Sequence, residues 1–230
     1  MSSVVTTNAK PKDSVVRQPL SRERVLGVAI GMADEGGVEA VTMRRLAHRL
    51  GVEAMSLYHH VRNKDDILAG MVEAVVGEIQ LPQPEEPWKA AIRRFARSAY
   101  ETYARHPWAA PLSLRGQQPG PARMAYMDAV LGSLAGAGLS ESYTDLAYHA
   151  LEAHIMGFTL WEGAMALGDQ ENLARVATAF LETIPQDQFP HLVDHIHQHL
   201  RPRPADAPGA FTFGLDLLLD GIERQAAAEA

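Results

Sequence analysis

The sequence predicts an all-α protein in two parts, a small three-helix head followed by a larger helical body. Three observations predict it. Apolar residues recur at spacings of three and four between the loops, which is the period of a helix. No stretch alternates as a strand would, and there is no internal repeat. The segment "LPQPEEP", with three prolines in seven residues, separates the two parts.

Residues 1–20 are polar, contain proline and lack a period, so they read as a disordered tail. Ser21 can cap a first helix that carries Val25, Leu26, Ala29, Ile30 and Ala33 on one face, and Gly36-Gly37 stops it. Thr42 can cap a short helix from about Met43 to Leu50 that turns Leu46, Ala47 and Leu50 inward. Gly51 ends this helix, and a second short one runs from about Ala54 to His60, burying Leu57. Two short helices around a glycine turn form a helix-turn-helix, so residues 21–66 make a three-helix head. Asn63 can cap the next helix, with Asp65 and Asp66 in its first turn, where the helix dipole favours acids. That helix, residues 67–81 of which connect head to body, reaches about Ile79.

The body, residues 82–230, shows only helical periods. Helices are expected over about Trp88–Tyr103, Ala122–Leu134, Ser142–Leu167 and Gly209–Ala226, with loops at "GQQPGP" and "PRPADAP". The long helix carries a seam of mostly small residues, Leu146, Ala150, Ala153, Gly157, Leu160 and Ala164, suited to close packing against another helix. A second line runs beside it: Ala147, Leu151, His154, Phe158, Trp161, Met165. A helix with two apolar faces must bury both. The last helix carries Phe211, Leu215, Leu218 and Ile222 on one stripe.

Composition narrows the function. Of 230 residues, 47% are hydrophobic and 21% charged, so a sizeable core can form. No apolar run is long enough to span a membrane, and no secretory leader is evident, so the expected location is the cytoplasm and no membrane partner is expected. The absence of cysteine excludes disulfides, thiolate zinc sites and cysteine nucleophiles. The net charge is -7, yet residues 1–64 hold ten Lys/Arg against six Asp/Glu. A basic small part on an acidic body suggests a polyanion-binding module.

The cations concentrate in Thr42 to Asp66, "TMRRLAHRLGVEAMSLYHHVRNKDD", with five basic residues and three histidines. A helix-turn-helix lays its second helix in the major groove of double-stranded DNA while flanking elements hold phosphates. The reading positions are then Ala54, Met55, Ser56, Tyr58, His59 and His60. Ser56, Tyr58 and His60 can hydrogen-bond phosphate or base edges, and Ala54 and Met55 can touch a thymine methyl. Arg44 can reach a guanine edge, Thr42 stands beside it, and Arg45 and Arg49 face phosphate or solvent. Lys64 lies at the start of the fourth helix, where free backbone amides and an ammonium can share a phosphate. Any one of these residues alone would read as a solvated surface group; the joint pattern carries the assignment.

The run "VTMRRLAHRLGVEAMSLYHHVRNKDDIL" resembles the DNA-binding signature of the tetracycline-repressor (TetR) family of bacterial regulators, and "FTFGLDLLLDGIERQ" is similar to the last helix of the tetracycline-repressor branch. The resemblance implies a homodimer joined by the two long C-terminal helices in a four-helix bundle. Leu146, Ala150, Ala153, Gly157 and Leu160, with Leu215, Leu218 and Ile222, suit that interface. It also implies a small-molecule pocket in each body, whose ligand moves the fourth helix as a lever and spreads the reading heads. The function implied is a transcriptional repressor that binds a palindromic operator and is released by an effector.

Pocket candidates are Phe95, Tyr103, His106, Trp108, Met124, Met127, His149, His154, Phe158, Trp161 and Met165, each of which could equally be core. His154 stands out, because a buried histidine needs a partner from protein or ligand. In tetracycline-sensing members a histidine just after the fifth helix helps hold a magnesium–drug chelate. Ser113 or Leu114 stands there in this chain, so the resemblance extends to architecture and not to that ligand, and no cofactor is expected. His191, His195, His197 and His199 offer pairs four apart that could grip a metal, but no H-E-x-x-H pattern accompanies them, and a polar surface segment is the preferred reading. Two other classes remain as alternatives. A DNA-organising protein without effector is disfavoured by so large a body rich in inward aromatics. An enzyme is disfavoured because no G-x-S-x-G, P-loop or H-E-x-x-H is present, so no catalytic residue is expected.

Overall fold

Side-chain caps start most helices of the head. The computed structural model describes residues 19–115, 118–165, 170–201 and 209–230; almost all of the expected tail and the whole of "PRPADAP" lie outside the described residues. Helix α1 (Arg22–Gly36) begins where Ser21 Oγ accepts the Arg24 N–H at 3.2 Å, and it ends at Gly37, whose φ of +74° favours glycine. A single 3-10 turn, Val38–Ala40, leads to α2 (Met43–Leu50), which Thr42 Oγ1 caps by accepting the Arg45 N–H at 3.3 Å. Gly51, at φ +68°, closes α2 in the left-handed conformation. Helix α3 (Ala54–Leu57) is a turn shorter than its sequence predicts. Beyond Leu57 the chain tightens into three-residue-spaced bonds, Tyr58 N–H to Met55 O at 3.2 Å and His60 N–H to Leu57 O at 2.9 Å. Helix α4 (Lys64–Val76) is capped by Asn63 Oδ1 on the Asp66 N–H at 2.8 Å. It gives way at Gly77 to a turn with three-residue-spaced bonds that still buries Ile79.

The body comprises α5 (Trp88–Arg105), α6 (Ala109–Ser113), α7 (Pro121–Ala135), α8 (Glu141–Met165), α9 (Gln170–Thr183), α10 (Pro190–Leu200) and α11 (Ala210–Glu229). Among the described residues there is no strand. The sequence reading did not foresee α6, α9 or α10. Helix α6 is barely more than one turn, too short for a period to show. Helix α10 starts on Pro190, a favoured first helical residue, and carries the histidine run, with His191, His195 and His197 exposed.

Helix α8 packs on α5, α7 and α11, and α4 touches α5, α6 and α7. One apolar core therefore runs from head to body: Val25 and Ala29 of α1, Met71 and Val75 of α4, Phe95 of α5, Val130 of α7, Leu151 and Ile155 of α8, Leu219 of α11. Full burial of such a leucine or isoleucine contributes about 1.5–3 kcal/mol. Helix α4 is thus bonded by packing to both parts, which suits it to carry displacement between them.

The two stripes assigned to the interface are used differently. On α8 the small-residue seam is exposed: Leu146, Ala150, Ala153, Gly157 and Leu160 all face away from the chain's own core, while Ala147 and Leu151 face in. On α11 the reverse holds. Leu215, 1% exposed, and Ile222 turn onto α5 and α8, and Leu218 is half-buried, so this stripe serves the chain's own core. The large apolar residues that α11 leaves exposed are Phe213 and Leu217, 58% and 57% accessible. The helix is apolar on two faces, and the intramolecular contacts claimed the one assigned to the interface. The side chains of Ala164 and Met165 lie outside the described residues.

Candidate nucleic-acid interface and ligand cleft

The cations of the head divide into two groups. Arg49 pairs with Glu35 of α1, and Arg62 lies 3.3 Å from Asp66. Arg44, Arg45 and Lys64 are exposed and form no ion pair among the described residues. The cations left without an internal partner are therefore the three assigned to DNA. Beside them Met55 is 73% and Tyr58 49% exposed, His59 and Thr42 are also exposed, and Ala54, Ser56 and His60 are half-buried. The Thr42 hydroxyl serves as a helix cap, and the His60 carbonyl accepts a hydrogen bond from Arg22 Nη1 at 3.1 Å.

Asp66 fixes this surface. Its carboxylate accepts Arg22 Nη1 and Nη2 at 2.9 and 3.1 Å and the Arg62 N–H at 2.9 Å. The Arg22 guanidinium, followed by the Arg62 amide, holds the carboxyl far below its ordinary range. One side chain so ties the start of α1, the turn after α3 and the first turn of α4, and it sets where Lys64 stands.

The aromatic pocket candidates are scattered. Phe95 is fully buried core, edge-on to Tyr126 with centroids 4.8 Å apart. His106 and Trp108 join head to body: His106 Nδ1 and Trp108 Nε1 both bond Asp34 Oδ1 of α1, at 2.8 and 2.6 Å. Met124 and His149 are exposed. His154 finds its partner inside the protein, Nε2 donating to Phe211 O at 2.9 Å while its ring stacks on Phe211. Gly214 permits that fit, since a Cβ there would lie 2.6 Å from His154 Cε1. Phe158, half-buried, and Trp161, exposed, border a shallow recess of about 420 Å³ on the exposed side of α8.

A larger cleft, about 720 Å³, opens between α1, α4, α6 and α7. Its walls are largely apolar, with Leu26, Leu68, Val72, Leu112 and Met127, and it also touches Glu73, Ser113 and Arg123. Of the pocket candidates only Met127 lies on it.

Behind the cleft is a buried polar cluster that sequence reasoning missed apart from Tyr103. Arg123 Nη2 donates to Glu152 Oε2 at 2.6 Å, the Tyr126 hydroxyl donates to the other Glu152 oxygen, and the guanidinium sits 4.3 Å from the Tyr126 ring centroid. Burial disfavours the Arg123 charge, but Glu152 and then Tyr126 more than offset this, so the guanidinium remains charged. Burial raises the Tyr103, Tyr126 and Tyr148 hydroxyls above their usual range, so all three stay protonated. Among the described residues Arg123 Nη1 meets no acceptor, and the Tyr103 hydroxyl has only Ser113 beside it. The Ser113 hydroxyl, beside Tyr103, gives its hydrogen to Ala109 O at 2.9 Å. The available signal was Glu152 within a helix apolar on two faces: a charge buried there requires an opposite charge.

A helix-turn-helix whose unpaired cations face solvent, carried on a helical body with an apolar cleft, is the architecture of a ligand-responsive DNA-binding regulator. The chain belongs to the TetR family. Residues 25–71 match the family model for bacterial regulatory proteins of the tetR family, and residues 81–226 match that for the tetracyclin repressor-like C-terminal domain. An HTH-type transcriptional regulator of Saccharopolyspora erythraea is 31% identical, covering 86% of this chain and 76% of that protein. The class A tetracycline repressor of Escherichia coli is 29% identical over 90% of this chain and 92% of its own. Among solved structures, ActR of Streptomyces coelicolor in complex with actinorhodin superposes with a TM-score of 0.72 at 26% identity, covering 91% of this chain and 99% of that one. The relatives are transcriptional regulators by name, and this chain is a DNA-binding transcriptional regulator of their family.

Proposed function

We propose that the chain is a repressor that binds a near-palindromic operator as a homodimer in the cytoplasm and is released when a small molecule occupies the cleft between α4 and α7. Glu73 carries the reading. It lies two turns after Asp66 on α4, and its carboxylate accepts the N–H groups of Ala122 and Arg123, at 2.8 and 3.3 Å, at the start of α7. The same helix thus locks the reading head at one end and caps a body helix beside the cleft. A ligand that fits the cleft better when α4 and α7 have shifted draws the population away from the DNA-competent state.

The exposed seam of α8, with Phe213 and Leu217 of α11, is the apolar surface that a second copy would cover. A magnesium–tetracycline chelate is not favoured as effector. Among the described residues the cleft wall holds no histidine, and its one carboxylate, Glu73, is committed to α7. No described helix is long and apolar enough to cross a membrane.

The test is to screen small apolar molecules for release of the protein from an operator duplex. Release that disappears in Glu73→Ala, while that variant still binds the molecule, supports the reading. Release that persists unchanged in Glu73→Ala, or comes only from molecules that raise the salt concentration, contradicts it.

A further inference from the structure

The wall of the cleft stands one helical turn from a direct bond to the reading head. Leu112 and Ser113 of α6 line the cleft. The Leu112 N–H bonds Trp108 O at 3.4 Å, and Ser113 Oγ bonds Ala109 O at 2.9 Å. At that other end of α6, His106 Nδ1 and Trp108 Nε1 donate to one oxygen, Asp34 Oδ1 of α1, at 2.8 and 2.6 Å. Ala109 and Ala110, between the two ends, are fully buried, so this short helix is close-packed and shifts as a unit rather than deforming.

We infer that Asp34 is a second tie, beside Glu73, through which an occupied cleft displaces the reading head: α6 passes its shift to α1 directly, without using α4. This rests on the reading of the cleft as the effector site. Both donors to Asp34 come from the three residues ahead of α6, and both use the same oxygen, so a shift of that run weakens the two bonds together. Hydrogen bonds to a carboxylate are the stronger kind, so the junction transmits force until it breaks. The opposite end of α1 holds the reading surface. Arg22 Nη1 bonds the His60 carbonyl at 3.1 Å and Asp66 Oδ2 at 2.9 Å. Twelve residues of one continuous helix separate Arg22 from Asp34, about 18 Å. A head held to the body at one place can swivel about it and absorb a displacement. A second tie removes that freedom, so movement of α6 turns the head. His106 and Trp108 are then positioning residues that never touch the ligand.

The chain has no cysteine, so Ser113→Cys offers a single thiol on the cleft wall. Benzyl methanethiosulfonate places a benzyl group there as a disulfide, and dithiothreitol removes it. Operator Kd is measured by fluorescence anisotropy with and without the label, and the ratio of the two is the coupling. A change in stability alone does not move that ratio. The label should weaken operator binding about 5-fold or more, reversibly. Asp34→Ala, added to Ser113→Cys, should cut the ratio about 3-fold or more. Asp34→Asn, which keeps an accepting oxygen, should retain most of it. Trp108→Phe, which keeps the packing and loses one bond, should fall between, and it decides the matter if Asp34→Ala does not fold. The inference is overturned if the ratio is unchanged in Asp34→Ala and Trp108→Phe, or if Asp34→Asn loses as much as Asp34→Ala. A label without effect in Ser113→Cys alone is a different result: it overturns the cleft as effector site, and this inference with it.

Discussion

Glu73, on the helix that leaves the DNA-binding head, caps a helix of the body by accepting the Ala122 N–H at 2.8 Å. The contact needs Gly120: a Cβ at that position would lie 2.3 Å from Glu73 Cδ. The chain thus spends a glycine and a half-buried carboxylate on a junction between its two parts. In a rigid structural tie, any cap would serve. At the rim of a cleft, the same contact can be made or lost as a ligand enters.

Glu73→Ala is expected to cost about 1 kcal/mol of stability, the worth of a helix cap. Operator affinity without ligand should stay within about twofold, while the ligand-induced loss of affinity shrinks about fivefold or more. Gly120→Ala, which displaces the carboxylate without removing it, should act in the same direction. Fluorescence anisotropy of a labelled operator, with and without a releasing ligand, checks both.

The reading head depends on Asp66. Its carboxyl is depressed in the folded state, so its contribution is complete above the unfolded value of about 3.9 and fades as pH falls below it toward the folded value. Asp66→Asn is expected to lower stability at pH 7 by about 1–2 kcal/mol, a modest figure because the Arg22 side chain is 40% exposed. Urea melts of the two proteins should differ at pH 7 and converge below about pH 4. A difference that widens on acidification would contradict the assignment.

On the operator, Arg44→Ala and Tyr58→Phe should each weaken binding and relax preference at a base position, with a loss of about 1–3 kcal/mol for the arginine if it reads a guanine. Lys64→Ala should weaken all sequences alike and reduce the salt slope by about one. Arg49→Ala should change little, since Arg49 already pairs with Glu35. Competition titrations against single-base operator variants separate these cases.

Leu217 and Leu215 lie two residues apart and should fail differently. Leu217→Glu places a charge on the exposed face of α11 and should shift the protein from dimer to monomer in sedimentation, with each subunit still folded. Leu215→Ala opens a cavity in the subunit core and should cost about 2–5 kcal/mol with little direct effect on assembly.

Local chemistry made the head legible in the sequence. Ser21, Thr42 and Asn63 cap as their residue types require, and Gly51 stops α2 because its left-handed backbone suits glycine. Spacing showed that α8 has two apolar faces, but spacing is blind to which neighbour covers each, so α11 was oriented wrongly at Leu215 and Ile222. The cleft was harder still. Aromatic and methionine side chains signal burial in general, and those singled out went mostly to core, surface or the head–body junction. The polar cluster of Arg123, Tyr126 and Glu152 is assembled from α7 and α8, which only the tertiary fold brings together. Nothing in the sequence marks Glu73, because its partner is the backbone of residues 122 and 123, to which no sequence motif points.

Selection of bound sequences from a random duplex pool, by the purified protein at physiological salt, tests the central claim most directly. The account predicts enrichment of one near-palindrome with half-sites about a helical turn apart, the symmetry of a dimer presenting two reading heads. No enriched motif, with binding that vanishes as salt rises, would leave only the electrostatic attraction of Arg44, Arg45 and Lys64 for phosphate and would contradict sequence-specific regulation.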